Sequence, residues 1–184
     1  MNDEQKLAQR LSTLRVNNNW SLEMLADKTG ISRATLSRIE RAETSPTASL
    51  LGKLSAVYGL TTSRLLMDLE DNPAELIRHG QQSVWHDTQT GFERRSISPP
   101  AKDFHAEFMS GRLQPGATIH YEAPPVFGLE QHIWMISGVL ELRLDTQQYR
   151  LEVGDCLRFH LNGTSTFHVP GEEEAHYSIV ICRP

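Results

Sequence analysis

The chain has 184 residues, 39% of them hydrophobic and 22% charged, which is ordinary globular composition and excludes a disordered polar chain. No apolar run approaches the roughly 18–20 residues of a membrane span, so no membrane partner is expected. The formal net charge is −5, but residues 1–66 carry nine Lys+Arg against six Asp+Glu (+3), and residues 67–184 carry nine against seventeen (−8), which returns −5. Such a split puts a basic segment, suited to a polyanion, ahead of an acidic one.

The N-terminus, MNDEQKLAQRL, is polar from its start and lacks the apolar stretch of a secretory signal. Cys156 and Cys182 have no metal-type spacing. Both points lead to the expectation of a cytoplasmic protein with reduced thiols.

In chain order, the first third is helical in pattern. Leu7, Leu11 and Leu14 recur at i, i+4 and i+7 and predict a first amphipathic helix. Ser21 caps a second carrying Leu22, Leu25 and Ala26, which Gly30 ends. Ser32 caps a third through Glu40. Thr47 caps a fourth, with Leu50, Leu51, Leu54, Val57 and Tyr58 on one face and Gly59 at its end, and a short fifth includes Leu65 and Leu66. Residues 67–80 read as a linker, interrupted by Pro73, with a short helix over 74–78. From 81 onward the period becomes alternating and Pro and Gly punctuate short segments. Val139 to Leu144 predicts a strand, Asp145-Thr146-Gln147 a turn, and Ser178 to Cys182 a buried strand. Many short strands at close spacing imply a sandwich or small barrel.

The most informative spacing lies between Ser21 and Thr47. Two short helices joined by Thr29-Gly30-Ile31-Ser32 have helix-turn-helix geometry, in which the second helix enters the DNA major groove. The marks S-L-x-x-L-A at 21–26, T-G-I-S at 29–32, L-S-R-I-E at 36–40 and S-P-T at 45–47 resemble the lambda-repressor-like, xenobiotic-response-element-type regulators. The resemblance implies a five-helix all-α domain over residues 1–66 and a pairing of Arg15 with Glu40. Ala42 departs from the glycine that relatives often carry there. On the third helix Leu36 and Ile39 should face the core. Arg33, Ala34, Ser37 and Arg38 should face the groove, where arginine can bond guanine and alanine can touch a thymine methyl. Ser32, Thr35, Arg41 and Thr44 are placed for phosphates.

The second half has its own resemblance. PGATIH, GLEQHIWMISGVLELRL and YRLEVGDCLRF, with Gly138 before a strand and Gly154-Asp155 at a turn, resemble the cupin superfamily. This implies an all-β cupin domain over residues 81–184, a jelly-roll type double-stranded β-helix with its core at 105–182. The chain as a whole is then a multidomain α + β protein. Cupin enzymes hold a metal with histidines and a glutamate, and those positions fall here near Ala123 and Pro125, on Gln131 and on Ser165. None is a good transition-metal ligand, so no metal and no cofactor are expected; an altered site using His132 or His168 is the alternative. Alternation points His120, Phe127, Gln131, Ile133, Met135, Ser165 and Phe167 into the barrel as candidate ligand-binding residues, and assigns Trp134 to packing.

Together these features predict a DNA-binding transcription regulator rather than an enzyme. Its partners would be a two-fold symmetric double-stranded operator, a second copy of the chain, and a small-molecule effector resembling an amino acid. The alternatives are a cupin metalloenzyme of the hydroxypropylphosphonate epoxidase type, whose ligand set is missing here, and an adaptor whose cupin is purely structural.

Overall fold

The computed structural model describes residues 3–67, 74–102 and 104–182. Five α-helices come first: α1 (Asp3–Asn17), α2 (Leu22–Thr29), α3 (Arg33–Glu40), α4 (Ala48–Tyr58) and α5 (Thr62–Leu66). Side-chain chemistry sets their ends. The Ser21, Ser32, Thr47 and Thr61 side chains accept from the backbone N–H groups of Met24, Thr35, Leu50 and Arg64, each cap stabilising by roughly 1 kcal/mol. Gly30 and Gly59 close α2 and α4 at φ 67° and 63°, a left-handed conformation that favours glycine. The helices surround one apolar cluster in which Leu25, Leu36, Leu51, Leu54 and Leu65 are almost fully buried. Each such leucine contributes about 1.5–3 kcal/mol. Arg10 on α1 donates to the Arg64 and Leu65 carbonyls at the end of α5, satisfying acceptors that a helix C-terminus leaves open.

The short helix expected over 74–78 is not formed; a 3-10 turn occupies His79–Gln81 instead. So short a segment repays the cost of a helical nucleus only by burying a face, and Leu76 is 62% exposed.

Ten strands follow: β1 (Val84–Asp87), β2 (Phe92–Ser98), β3 (Ala106–Leu113), β4 (Thr118–Tyr121), β5 (Leu129–Ser137), β6 (Leu140–Leu144), β7 (Gln147–Leu151), β8 (Cys156–Leu161), β9 (Ser165–His168) and β10 (Ala175–Cys182). They form a six-stranded sheet, β1-β2-β3-β10-β5-β8, and a four-stranded one, β4-β9-β6-β7. Every recorded pairing is antiparallel. Inner faces of both sheets supply one core, including Leu113, Ile133, Met135, Leu140 and Leu142 at 0% exposure. The punctuating residues have identifiable jobs. Gly138 (φ 74°) lies so close to the Glu174 carbonyl that a side chain would collide with it. At the Gly154-Asp155 turn the Asp155 carboxylate accepts from the Glu152 N–H at 2.8 Å, the back-bonding expected of aspartate at such a turn.

The helices and the strands dock through buried polar bonds. The Ala48 N–H at the start of α4 donates to Asp87 Oδ2 on β1 at 2.8 Å. The Thr61 hydroxyl bonds the buried Glu107 carboxylate of β3 at 3.0 and 3.1 Å. Arg94 Nη2 on β2 donates to Ser63 Oγ on α5 at 2.6 Å. Nearer the surface, Lys53 on α4 pairs with Glu122 at 2.9 Å. Apolar contact accompanies these bonds: Ala48 belongs to the strand core, and Trp85 packs against both clusters.

Candidate functional site

The first candidate surface is α3. Buried Leu36 and Ile39 anchor one side of it, so residues 33, 34, 37, 38 and 41 form the opposite stripe. Arg33, Ala34, Arg38 and Arg41 on that stripe are exposed, and Ser37 is half-buried. Arg33 lies 3.6 Å from Glu23 in a solvent-exposed pair, and Arg41 pairs with Glu43 at 2.8 Å. Such pairs contribute little and leave both arginines available to a stronger anion. Ser32 caps the helix and its hydroxyl shares a hydrogen bond with Thr35 at 2.8 Å. Thr35 and Thr44 are half-buried. The turn before α3 is stitched by Thr29, whose hydroxyl donates to the Leu25 carbonyl and accepts from the Ile31 N–H.

Behind α3, Arg15 and Glu40 meet side-on in a bidentate pair at 2.7 Å, with Arg15 also donating to the Trp20 carbonyl. The pair is largely buried, 16% and 9% exposed. The Glu40 carboxylate, by direct hydrogen bonding, holds the Arg15 guanidinium above its ordinary pKa. This ties the end of the exposed helix to α1 and fixes its angle.

The second candidate site is a cavity of about 90 Å³ between the strand core and the helices α4 and α5. Ala123, Pro125, Gln131 and Ser165, the positions to which the sequence resemblance assigns a metal set, all line it. They do not fit a transition metal: alanine and proline offer no side-chain donor, and the amide and hydroxyl are neutral and weak. His132 and His168 lie on outer faces. His132 contacts Glu130 at 2.7 Å, and His168 contacts Thr118 Oγ1 at 2.9 Å.

Of the other sequence candidates, Phe167 lines the cavity, whereas Ile133 and Met135 pack in the core without reaching it. Three expectations are corrected. His120 points outward and bonds Thr166 Oγ1 at 2.8 Å, because the inward places on β4 belong to Ile119 and Tyr121. Phe127 is 72% exposed, because it lies in the turn before β5, where strand alternation does not carry over. Trp134 is the third: it is 52% exposed on the outer face of β5 rather than in the core.

Sequence reasoning missed Arg94, Tyr121 and Tyr177, which line the same cavity, and Gly52 of α4, which closes part of it. Gly52 lies so near the Tyr121 ring that a methyl would run into it. The signal for Arg94 is faint: on β2 it alternates with the buried Phe92 and Ser96, but charge on both faces of FERRSIS hides the strand. The cavity is polar as well as apolar. Arg94 is 6% exposed, and its bond to Ser63 is its one hydrogen bond to a described residue. Gln131, Ser165 and the Tyr121 and Tyr177 hydroxyls bond no described side chain, and the buried Trp85 Nε1 is without a partner among the described residues. Burial pulls the Arg94 guanidinium below its ordinary pKa, with the Glu107 charge opposing; it still carries its proton at neutral pH. Burial pushes the Tyr121 phenol up to about 12 and the Tyr177 phenol further, so both are hydrogen-bond donors at neutral pH. Such an arrangement can bind and orient a small polar molecule.

A helix-turn-helix family model matches residues 11–65. The HTH-type transcriptional regulator SutR of Escherichia coli K12 is 30% identical over 178 residues, covering 97% of this chain and 95% of its own. The fold of an HTH_3 family transcriptional regulator from Vibrio cholerae superposes with a TM-score of 0.77 at 22% identity, over 98% of this chain and 97% of that one. The iron(II) form of HppE superposes less closely, TM-score 0.51 at 12% identity, over 98% of this chain and 100% of its own. Identity this low carries the fold and not the chemistry. No helix among the described residues is long and apolar enough to cross a membrane. The chain belongs to the family of helix-turn-helix transcriptional regulators that includes E. coli SutR.

Proposed function

We propose that this regulator reads a two-fold symmetric DNA operator as a homodimer through α3, and that its cupin half senses a small metabolite. The division that goes with this reading is a head over residues 1–66, a linker over 67–80 and a cupin over 81–184. Arg33 and Arg38 read base edges, Ala34 and Ser37 touch the groove floor, and Ser32, Thr35, Arg41 and Thr44 hold phosphates. A single head of this size makes few contacts, so useful affinity requires two heads about one helical turn apart. A regulator of this kind works where the DNA is, which places it in the cytoplasm.

The observation that carries the sensor reading is the convergence of Gln131 and Ser165 with Arg94 in one cavity floored by α4. Buried polar groups need partners, and a ligand supplies them. The same substitutions argue against the cupin enzyme alternative; stoichiometric iron with turnover of a substrate would reinstate it. A purely structural cupin would instead predict that no metabolite stabilises the protein.

The DNA reading is tested by gel-shift titration on a duplex selected by the wild-type chain from a random pool. Arg33→Ala or Arg38→Ala should each cost about 1–3 kcal/mol of specific affinity. Unchanged affinity in both variants would sink the assignment. The sensor reading is tested by a thermal-shift screen of small metabolites on the full chain, where no stabiliser at all is the failing result.

A further inference from the structure

We propose that the cavity takes a small metabolite bearing a carboxylate, that Arg94 holds the carboxylate, and that Ser63 passes the resulting strain to the DNA-binding head. The inference rests on the sensor reading and specifies the chemistry of its ligand. A guanidinium has five N–H donors in a fixed fork. Arg94 is 6% exposed, and its bond to Ser63 is the only one it makes to a described residue. No carboxylate among the described residues forms an ion pair with it. Glu107, whose charge acts on it, is already engaged by Thr61. A buried charge left this way is costly unless an anion meets it. Carboxylate matches the guanidinium fork in a bidentate bond, roughly twice as strong as a neutral one.

Size and surroundings narrow the class further. At about 10–15 Å³ per water, a cavity of about 90 Å³ admits a molecule of a few heavy atoms. Gln131 and Ser165 give an amide and a hydroxyl for its polar substituents, and Phe167 gives an apolar wall. The route to the head is short. Arg94 bonds Ser63 of α5, and α4 lines the cavity directly through Gly52 and Ser55. An occupant therefore touches both the receptor strand and the head, so its contacts change if the two move against each other, as a ligand-driven shift needs.

The experiment uses the full chain and matched probes: lactate against lactamide, and L-alanine against L-alaninamide. Calorimetric titration of the wild type should show at least one carboxylate binding about tenfold or more tightly than its amide. Arg94→Gln should erase that preference and Arg94→Lys should keep part of it. Should Arg94→Gln fail to fold, Ser63→Ala decides. It should leave carboxylate binding within about twofold, since the free N–H donors remain, yet abolish the ligand's effect on affinity for the selected duplex. Amides binding as tightly as carboxylates would overturn the proposal, as would carboxylate binding in Arg94→Gln at wild-type strength or an undiminished ligand effect in Ser63→Ala. A neutral probe that stabilises the wild type and Arg94→Gln alike, but not Gln131→Leu, would defeat the carboxylate claim and leave the sensor intact. Binding by neither class below about 1 mM would defeat both, while duplex binding would still stand.

Discussion

Ala42 sits at the end of α3 with φ +55°. The surrounding bonds explain why. Its N–H donates to the Ile39 carbonyl, and the Glu43 N–H donates to the Arg38 carbonyl. That pair of bonds is the Schellman termination, which asks for a left-handed residue at this place. A Cβ there costs about 1 kcal/mol, partly offset because glycine gains freedom in the unfolded chain. Ala42→Gly should therefore stabilise the protein by about 0.5–1 kcal/mol, read as a rise of roughly 1–4 °C in Tm. An unchanged or lower Tm would mean that the left-handed turn is not strained. The sequence already marked this position as a departure from its relatives, because backbone need for glycine is legible one residue at a time. Buried polar groups are not. An arginine in FERRSIS reads as surface charge until strand alternation places it beside Phe92 and Ser96.

Tyrosine ionisation gives a second test at this scale. Burial lifts the phenols of Tyr121 and Tyr58 to about 12, against roughly 10 in an unfolded chain. Groups raised in this way contribute stability that is complete below pH about 10 and is lost as the pH climbs through the folded value. Stability should fall between pH about 10 and 12, with phenolate absorbance rising late and together with unfolding. Tyr121→Phe should flatten part of that fall.

At the scale of elements, α4 shows what caps and periodicity can and cannot reveal. Thr47 and Gly59 announce its ends, and the leucine pattern announces its buried face. Gly52 in its middle looks like a flaw, since glycine costs a helix interior about 1 kcal/mol. The reason lies in β4, which is far away in sequence: the Tyr121 ring lies against the glycine. Gly52→Ala should gain the helical propensity and lose more to the collision, about 1–3 kcal/mol, for a net fall in Tm. In a Tyr121→Leu background the same change should become neutral or stabilising, and this non-additivity separates contact from propensity. The strand half follows the same division. Turn residues such as Gly154-Asp155 were readable, whereas β1 and β2 were not, because VWHD and FERRSIS mix charge into both faces. His120 and Phe127 differ from the alternation reading because β4 turns Ile119 and Tyr121 inward and Phe127 lies in a turn, where alternation does not hold.

At the scale of the whole molecule, composition divided the chain into a basic helical half and an acidic strand half, but nothing in it foretold how the halves join. Docking depends on single polar residues whose partners lie 39 to 46 positions away, Asp87 with Ala48 and Glu107 with Thr61. No periodicity marks such pairs. Their consequence is cooperativity. Asp87 accepts from the first N–H of α4 and also from the Gln89 N–H, and it is 2% exposed. Asp87→Ala strands a buried donor at the joint, costing about 1–3 kcal/mol. Thr61→Val removes the second bond and leaves the Glu107 carboxylate short of a donor. Apolar contact through Trp85 and Ala48 remains, so each half should stay folded. The wild type should therefore unfold in one transition with calorimetric and van't Hoff enthalpies in agreement. The double variant should unfold in two, the smaller helical half first. A single transition merely shifted to lower temperature would mean that the remaining contacts, Arg94 with Ser63, Lys53 with Glu122 and the apolar packing, suffice to couple the halves. In that event the Asp87 and Thr61 bonds set the geometry between the helical and strand halves without holding them together.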